Sequence, residues 1–408
     1  MKKIYFITLI FIGFSGVLLE SNAQGSWTQK ASFGGSSRSG ASSFSIGNYV
    51  FIGCGGLFSS GYVSDFWRWN RVTNAWTQVA SYPGAGLSGC ISFSIDGKGY
   101  VGLGSDGTNC HTDMWSYDTG TNSWSSLASF PGLSRHSPFV FVIGNMAYVG
   151  CGTPGGPPYY QDLWVYNTST NVWTHKNDFP GGKRNEMASF AIGKNGYAGL
   201  GWDNTTDHRD FWQYDTTADT WQQIDSIPGS KREGPVAFVI GNKAYVGSGY
   251  NHINCLNDFY MYDTTTASWS SIASFPGHDR WSAVSCSNGG NGYFGTGTDS
   301  VWDSYYSDFW EYDPIPTGIS EPDQSSLHTS IFPDPSNGIL HMTFGMAVLP
   351  GTELVIHDIF GRLVASTRIN TNAENQIMDE SLLNSGMYFY SIISNDKLLT
   401  TGKFVIAK

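Results

Sequence analysis

The stretch DFWEYDPIPTG, residues 308–318, is the sixth copy of a phrase that runs through this chain, and it is the copy that stops early. The five before it are DFWRWNRVTNAW (65–76), DMWSYDTGTNSW (113–124), DLWVYNTSTNVW (162–173), DFWQYDTTADTW (210–221) and DFYMYDTTTASW (258–269), and each runs on to a closing Trp. The sixth runs instead into Pro314 and Pro316, which cannot donate to a sheet ladder. Its missing strand stands at the other end of the sequence: SWTQKASFGG (26–35) matches AWTQVASYPG (75–84) nearly letter for letter. The two ends of the repeat array therefore complete one sheet.

The Asp that opens each phrase falls at 65, 113, 162, 210, 258 and 308, a period of 48 to 50 residues. That length suits one four-stranded blade. A second pattern recurs with the same period: YVFIGCG (49–55), YVGLG (100–104), YVGCG (148–152), YAGLG (197–201), YVGSG (245–249) and YFGTG (293–297). Apolar runs such as FVFVIG (139–144) meet the next strand across a Gly-Asn or Gly-Lys pair, a tight hairpin signal. Strand three is the Asp phrase and strand four carries Trp27, Trp76, Trp124, Trp173, Trp221 or Trp269. Joining the two ends removes the open edges that invite aggregation.

With period, Gly pattern and closure together, residues 24–318 resemble the kelch family of β-propellers. The resemblance implies an all-β fold, a six-bladed propeller closed by its N-terminal strand. Adjacent glycines, usual in that family, occur only at Gly55-Gly56; elsewhere the pattern is Gly-x-Gly. The periodic Trp residues read as packing between blades, since a buried indole removes ~150–250 Å² from water. The periodic Asp residues read as acceptors for backbone N–H groups at strand starts.

After Tyr312 the character changes to PIPTGISEPDQSSLHTS (314–330), a Pro- and Ser-rich linker. Alternating strands follow, enough for a small C-terminal β-sandwich. PDPSNG (333–338), D-x-x-G-R (358–362), Gly386-Met387-Tyr388 and Lys403-Phe404-Val405 together resemble the C-terminal sorting domain of the type IX (Por) secretion system. The N-terminus reads MKK, then IYFITLIFIGFSGVLL, then small residues up to Ala23, the pattern of a cleaved secretory signal. The expected organisation is signal peptide 1–23, propeller 24–318, linker 319–330 and sorting domain 331–408. The resemblance implies the type IX machinery as a partner, and a product secreted or held at the outer-membrane cell surface with no membrane span after signal removal.

Net charge is −11, and no Lys/Arg run is long enough to neutralise a phosphate backbone, so nucleic acid is excluded as a partner. The six cysteines read as separate core or loop residues rather than as staples, because a chain of this length buries an adequate core without them. No HExxH, G-x-S-x-G or paired C-x-x-C is present. Neither a cofactor nor a metal site is expected: His111, His136, His208, His252 and His278 lie in loops without metal-ligand spacing.

Ligand binding is expected on the face where sequence varies most from unit to unit. The loops between strands two and three differ in every unit, and they share a face with the connections that precede each first strand. On it stand Tyr62, Tyr160, Trp202, Tyr250, Trp302 and Tyr305, flat amphipathic rings suited to a sugar or protein partner. Arg38, Arg135, Arg184, Arg232 and Arg280 recur in the connections, with Leu87 in the second unit, and are candidates to hold an anion at the channel mouth. Glu186, Glu233 and Asp279 lie beside three of them. Three readings follow: a binding module for a glycan or protein, a structural adhesin, or a kelch-type sugar-modifying enzyme such as a sialic acid epimerase, with Glu186 or Glu233 moving protons.

Overall fold

The computed structural model describes residues 25–59, 61–300, 303–314, 329–332, 335–344, 351–369, 375–379, 382–394 and 397–408. The expected signal peptide, most of the linker and Trp302 lie outside these. The chain divides into two compact units, Met1–Thr317 and Gly318–Lys408.

In the first unit six antiparallel sheets of four strands follow one another. Blade one is Ser42–Ile46, Tyr49–Gly53, Phe66–Asn70 and Ala75–Val79; blade two is Ile91–Ile95, Lys98–Gly102, Met114–Asp118 and Ser123–Ser126; blade three is Phe139–Ile143, Met146–Gly150, Leu163–Asn167 and Val172–Lys176. Blade four is Ala188–Ile192, Asn195–Gly199, Phe211–Asp215 and Thr220–Ile224; blade five is Val236–Ile240, Lys243–Gly247, Phe259–Asp263 and Ser268–Ser271. Blade six takes Val284–Asn288, Asn291–Gly295 and Phe309–Asp313 from the end of the array, and its fourth strand is Ser26–Lys30, paired so that Trp27 faces Tyr312. First strands of successive blades lie side by side, the sixth against the first. The ring is closed by its own two ends.

Two features of the repeat hold neighbouring blades together. Each strand-four Trp packs between blades and donates its indole N–H to a carbonyl of the preceding blade's fourth strand: Trp76 to Ala31, Trp124 to Ala80, Trp173 to Ala128, Trp221 to Asn177, Trp269 to Asp225 and Trp27 to Ala273, at 2.9–3.1 Å. The second feature is the Gly-x-Gly turn. Gly249 has φ 103°, a Cβ there would stand 2.8 Å from the Glu233 carbonyl, and its N–H donates across the blade boundary to Arg280 O at 2.9 Å. Only glycine combines that backbone with that approach.

Trp27 shows what the closing strand contributes. Its ring meets Phe238, Phe259 and Phe275 on one side and Phe294 and Tyr312 on the other, with centroids 5.0–6.4 Å apart. The N-terminal segment is thus both a ladder partner and a wedge between blades five and six. All six cysteines are free thiols.

In the second unit a three-stranded sheet (Thr329–Phe332, Ile339–Phe344, Asn375–Asp379) and a four-stranded sheet (Leu363–Arg368, Thr352–Asp358, Gly386–Ser394, Lys397–Ile406) share one core. Leu340 and Met342 from the first sheet meet Leu354, Ile356, Tyr390, Ile392 and Phe404 from the second. In D-x-x-G-R, Asp358 accepts from Phe360 N, Arg362 N and Arg362 Nε, which fixes that turn.

Deleting residues 24–36 is expected to leave blade six with a bare edge, a lower thermal midpoint and a tendency to associate. Size-exclusion chromatography and thermal unfolding check this, and a deletion that melts with the intact protein contradicts closure.

Candidate functional site

The recurring arginines and aspartates explain each other. Arg38, Arg135, Arg184, Arg232 and Arg280 are buried, and each holds the Asp that opens strand three of its own blade: Asp65, Asp162, Asp210, Asp258 and Asp308. Both guanidinium nitrogens engage, Nη1 to Oδ1 at 2.5–2.7 Å and Nη2 to Oδ2 at 2.8–3.3 Å. Nη1 also reaches the carbonyl of the central Gly-x-Gly residue, such as Cys54 or Ser248. The second carboxylate oxygen accepts the indole N–H two residues on, from Trp67, Trp164, Trp212 and Trp310.

Two expectations are thereby corrected. The arginines are not a ring of open anion-binding groups, because the Nη donors of each are engaged by an aspartate inside its blade. The aspartates serve the guanidinium and indole donors first, with a backbone hydrogen bond besides at Asp65, Asp258 and Asp308, and Glu186, Glu233 and Asp279 are not the counter-charges. Burial pushes the Asp65, Asp210, Asp258 and Asp308 carboxyls up, but guanidinium hydrogen bonds and charge outweigh it, so each ends below the usual carboxylate value.

Blade two tests this account from within. Leu87 replaces the arginine there, and Tyr82 stands where Phe33, Phe130, Phe179 and Phe275 stand in other units. The Tyr82 hydroxyl donates to Asp113 at 2.7 Å, beside the Trp115 indole at 2.9 Å. One hydroxyl donor stands in for the two guanidinium donors that the aspartate receives in the other blades.

The loop face carries a second ring of contacts. Gly40, Gly89, Ser137, Glu186, Gly234 and Ser282, one at the entrance to each first strand, donate N–H to carbonyl round a closed cycle at 2.8–3.3 Å. All six have φ of 49–65°, the left-handed region. Four are Gly or Ser in blades one, two, three and five, blade six has Ser282, and blade four alone places a carboxylate there.

Glu186 sits beside a cluster. Asp207 from the strand two to three loop of blade four, Glu233 from the connection into blade five, and His252 from the loop of blade five bring one ligand atom each within 4.8 Å of one another. This is the one such group among the described residues. His252 Nε2 stands 3.4 Å from Asp207 Oδ1 and 3.3 Å from Glu233 Oε1. Asp207 Oδ1 and Glu186 Oε2 are buried and receive no hydrogen bond. Burial first, and then the neighbouring carboxylates, push the Glu186 and Glu233 carboxyls well up; burial also raises Asp207, against the pull of His252 and Lys231. A cleft of about 610 Å³, lined by Asp207, His208, Gly229 and Lys231 among others, opens beside it.

Of the expected aromatic residues, Trp202 and Tyr250 gather here: the Trp202 ring lies 4.1 Å from His252, and Tyr250 lies 5.3 Å from both His252 and Trp281. Tyr159 joins them, its oxygen accepting from the Trp202 indole N–H, with the Glu233 carboxyl nearby. Tyr160 instead covers the Arg135 guanidinium at 4.4 Å, and Tyr305 packs on Phe58 at 5.8 Å. Tyr62 is 41% exposed. Two of the histidines clasp their own loops, His111 on Asp106 and His208 on Asp203, and His278 stacks on Tyr306. His252 has no metal-ligand spacing in the sequence, and its companions Asp207 and Glu233 come from two other segments, so only the fold brings the three together.

Comparison with known proteins agrees with this architecture. The Kelch motif matches residues 37–81 and 231–276, and the secretion system C-terminal sorting domain matches 330–407. The chain therefore carries Kelch motifs within its β-propeller and a secretion system C-terminal sorting domain after it, a domain that marks proteins secreted or attached at the cell surface and implies the type IX secretion machinery. A solved structure titled "Structure of YjhT" is similar in fold, with 16% identity, a TM-score of 0.61, and coverage of 69% of this chain and 95% of that one. No curated protein matches the chain. Among the described residues no helix is long and apolar enough to cross a membrane.

Two outcomes follow. Asp258→Ala, which strands a buried Arg232, is expected to cost about 3–5 kcal/mol in chemical denaturation. Arg232→Leu, copying blade two, costs less, because Asp258 is 32% exposed and keeps the Tyr260 hydroxyl; equal or inverted costs contradict the assignment. Glu186→Gly relieves a left-handed non-glycine residue and a crowded carboxylate, and is expected to stabilise by about 1 kcal/mol. A lower melting temperature in that variant contradicts this view of Glu186.

Proposed function

We propose that this secreted or surface-attached propeller is a binding module, and that its ligand is a glycan seated at the loop-face mouth over blades three to five. The observation that carries the reading is the convergence of Tyr159, Trp202 and Tyr250 with the carboxyl groups of Glu186, Asp207 and Glu233 in one place. Flat rings stack on the apolar faces of sugars, and carboxyl groups accept from paired hydroxyls. The five recurring arginines are engaged internally, so they do not form a clamp for an acidic sugar.

A sugar-modifying enzyme is the second reading. It is favoured by the raised carboxyls of Glu186 and Glu233, which hold protons closer to neutrality than free carboxylates do and so suit proton transfer. Exposed Phe58, Tyr62, Leu133 and Ile253 on the same face suit a protein partner better than a sugar.

A glycan array with the full chain tests the leading reading. Hits that fall at least tenfold in Trp202→Ala and Tyr250→Ala, and persist in Tyr62→Ala, support the mouth as the site. Silence across the array contradicts the glycan reading and turns to a protein ligand. NMR of each bound sugar, with and without the protein, reads any chemical change and so separates binding from turnover.

A further inference from the structure

We propose that Asp207, Glu233 and His252 bind a single divalent transition-metal ion, with Zn²⁺ as its representative, between blades four and five. The inference does not depend on the ligand being a glycan.

Geometry is the first support. A tetrahedral zinc with bonds of about 2.0–2.1 Å has ligand-to-ligand edges of about 3.4 Å. His252 Nε2 lies 3.4 Å from Asp207 Oδ1 and 3.3 Å from Glu233 Oε1, so two edges already have that length. Three protein ligands leave one position, and Glu186 Oε2, sealed and without a donor, stands beside the group. An imidazole among carboxylates favours a borderline ion such as Zn²⁺ over Ca²⁺ or Mg²⁺, which prefer oxygen throughout.

The second support is an unsatisfied atom. Asp207 is 4% exposed, and its Oδ1 accepts no hydrogen bond although it faces His252 and Glu233. A buried carboxylate oxygen without a donor is costly unless something positive completes it.

The repeat supplies an internal comparison. Isolated bridges place Asp207 where Cys110 stands in blade two and Cys255 in blade five: Ser105 pairs with Cys110, Trp202 with Asp207 and Tyr250 with Cys255. Each of those thiols reaches a carbonyl of the following blade, Thr153 O at 3.8 Å and Thr298 O at 3.9 Å. A small, weakly polar group satisfies that position structurally. Blade four puts a charged carboxylate there instead, and the adjoining positions carry Glu233, His252 and Glu186. Where blade two departs from the pattern, Tyr82 compensates; where blade four departs, Asp207 Oδ1 meets only the His252 imidazole, at 3.4 Å and without a well-formed hydrogen bond. The His252 side chain is 41% exposed, which opens the group to solvent, and binding releases any protons the carboxyl groups hold.

The test is equilibrium dialysis of the full chain, stripped with a chelator, against Zn²⁺ at neutral pH, together with thermal unfolding with and without the ion. One equivalent is expected to bind and to raise the melting temperature. Asp207→Asn and His252→Asn, the latter suited to the left-handed backbone at φ 63°, are expected to weaken binding tenfold or more and to abolish the melting shift. Their melting without metal verifies that they fold, and His208→Gln, in the neighbouring clasp, is expected to bind as the parent does. Absence of stoichiometric Zn²⁺, binding that survives in both ligand variants, or Ca²⁺ displacing Zn²⁺ at equal concentration overturns the proposal.

Discussion

A ring of sheets lacks edges only if its first and last strands meet, and here that junction rests on the pairing of Ser26–Lys30 with Phe309–Asp313. Every blade boundary repeats the same physical arrangement, with an indole N–H to the preceding blade's carbonyl and a Gly-x-Gly amide to the next connection. The contacts at the junction between blades five and six are as complete as the others because Trp27 arrives from the far end of the sequence. Without it, the cluster of Phe259, Phe275, Phe294 and Tyr312 loses its central ring. Closure and inter-blade packing are one constraint.

Within that frame the repeat separates structure from function. Positions that recur in every blade, or whose change is compensated nearby, maintain the fold: the Arg–Asp pairs, the indoles, and Tyr82 in place of an arginine. Departures without compensation concentrate at blades four and five. Glu186 occupies a left-handed site filled elsewhere by Gly or Ser, and Asp207 occupies a site filled by Cys110 in blade two, Cys255 in blade five and Tyr305 in blade six. Strain and unsatisfied charge gather at one mouth of the ring, where stored cost is best explained by a ligand.

The architecture was largely legible in the sequence, because a blade is specified by local alternation, turn residues and a fixed period. The truncated phrase at 308–318 and its completion at 26–35 were visible as letters. The site was much less so. The arginine period looked like a ligand ring until the coordinates paired each with an aspartate about 27 residues away, a separation that only the strand topology converts into contact. Asp207, Glu233 and His252 come from three loops, and their meeting depends on how neighbouring blades abut. Trp202 and Tyr250 are legible as ring-bearing loop residues of one face, whereas Tyr160 covers Arg135.

The closure is tested most directly by amide hydrogen exchange across Ser26–Lys30 in the native chain. Protection comparable to that of Ala75–Val79, the equivalent strand of blade one, is the result expected of a sealed ring. Exchange at the rate of an unstructured peptide, with Ala75–Val79 still protected, would show that the N-terminal segment does not complete the sixth blade.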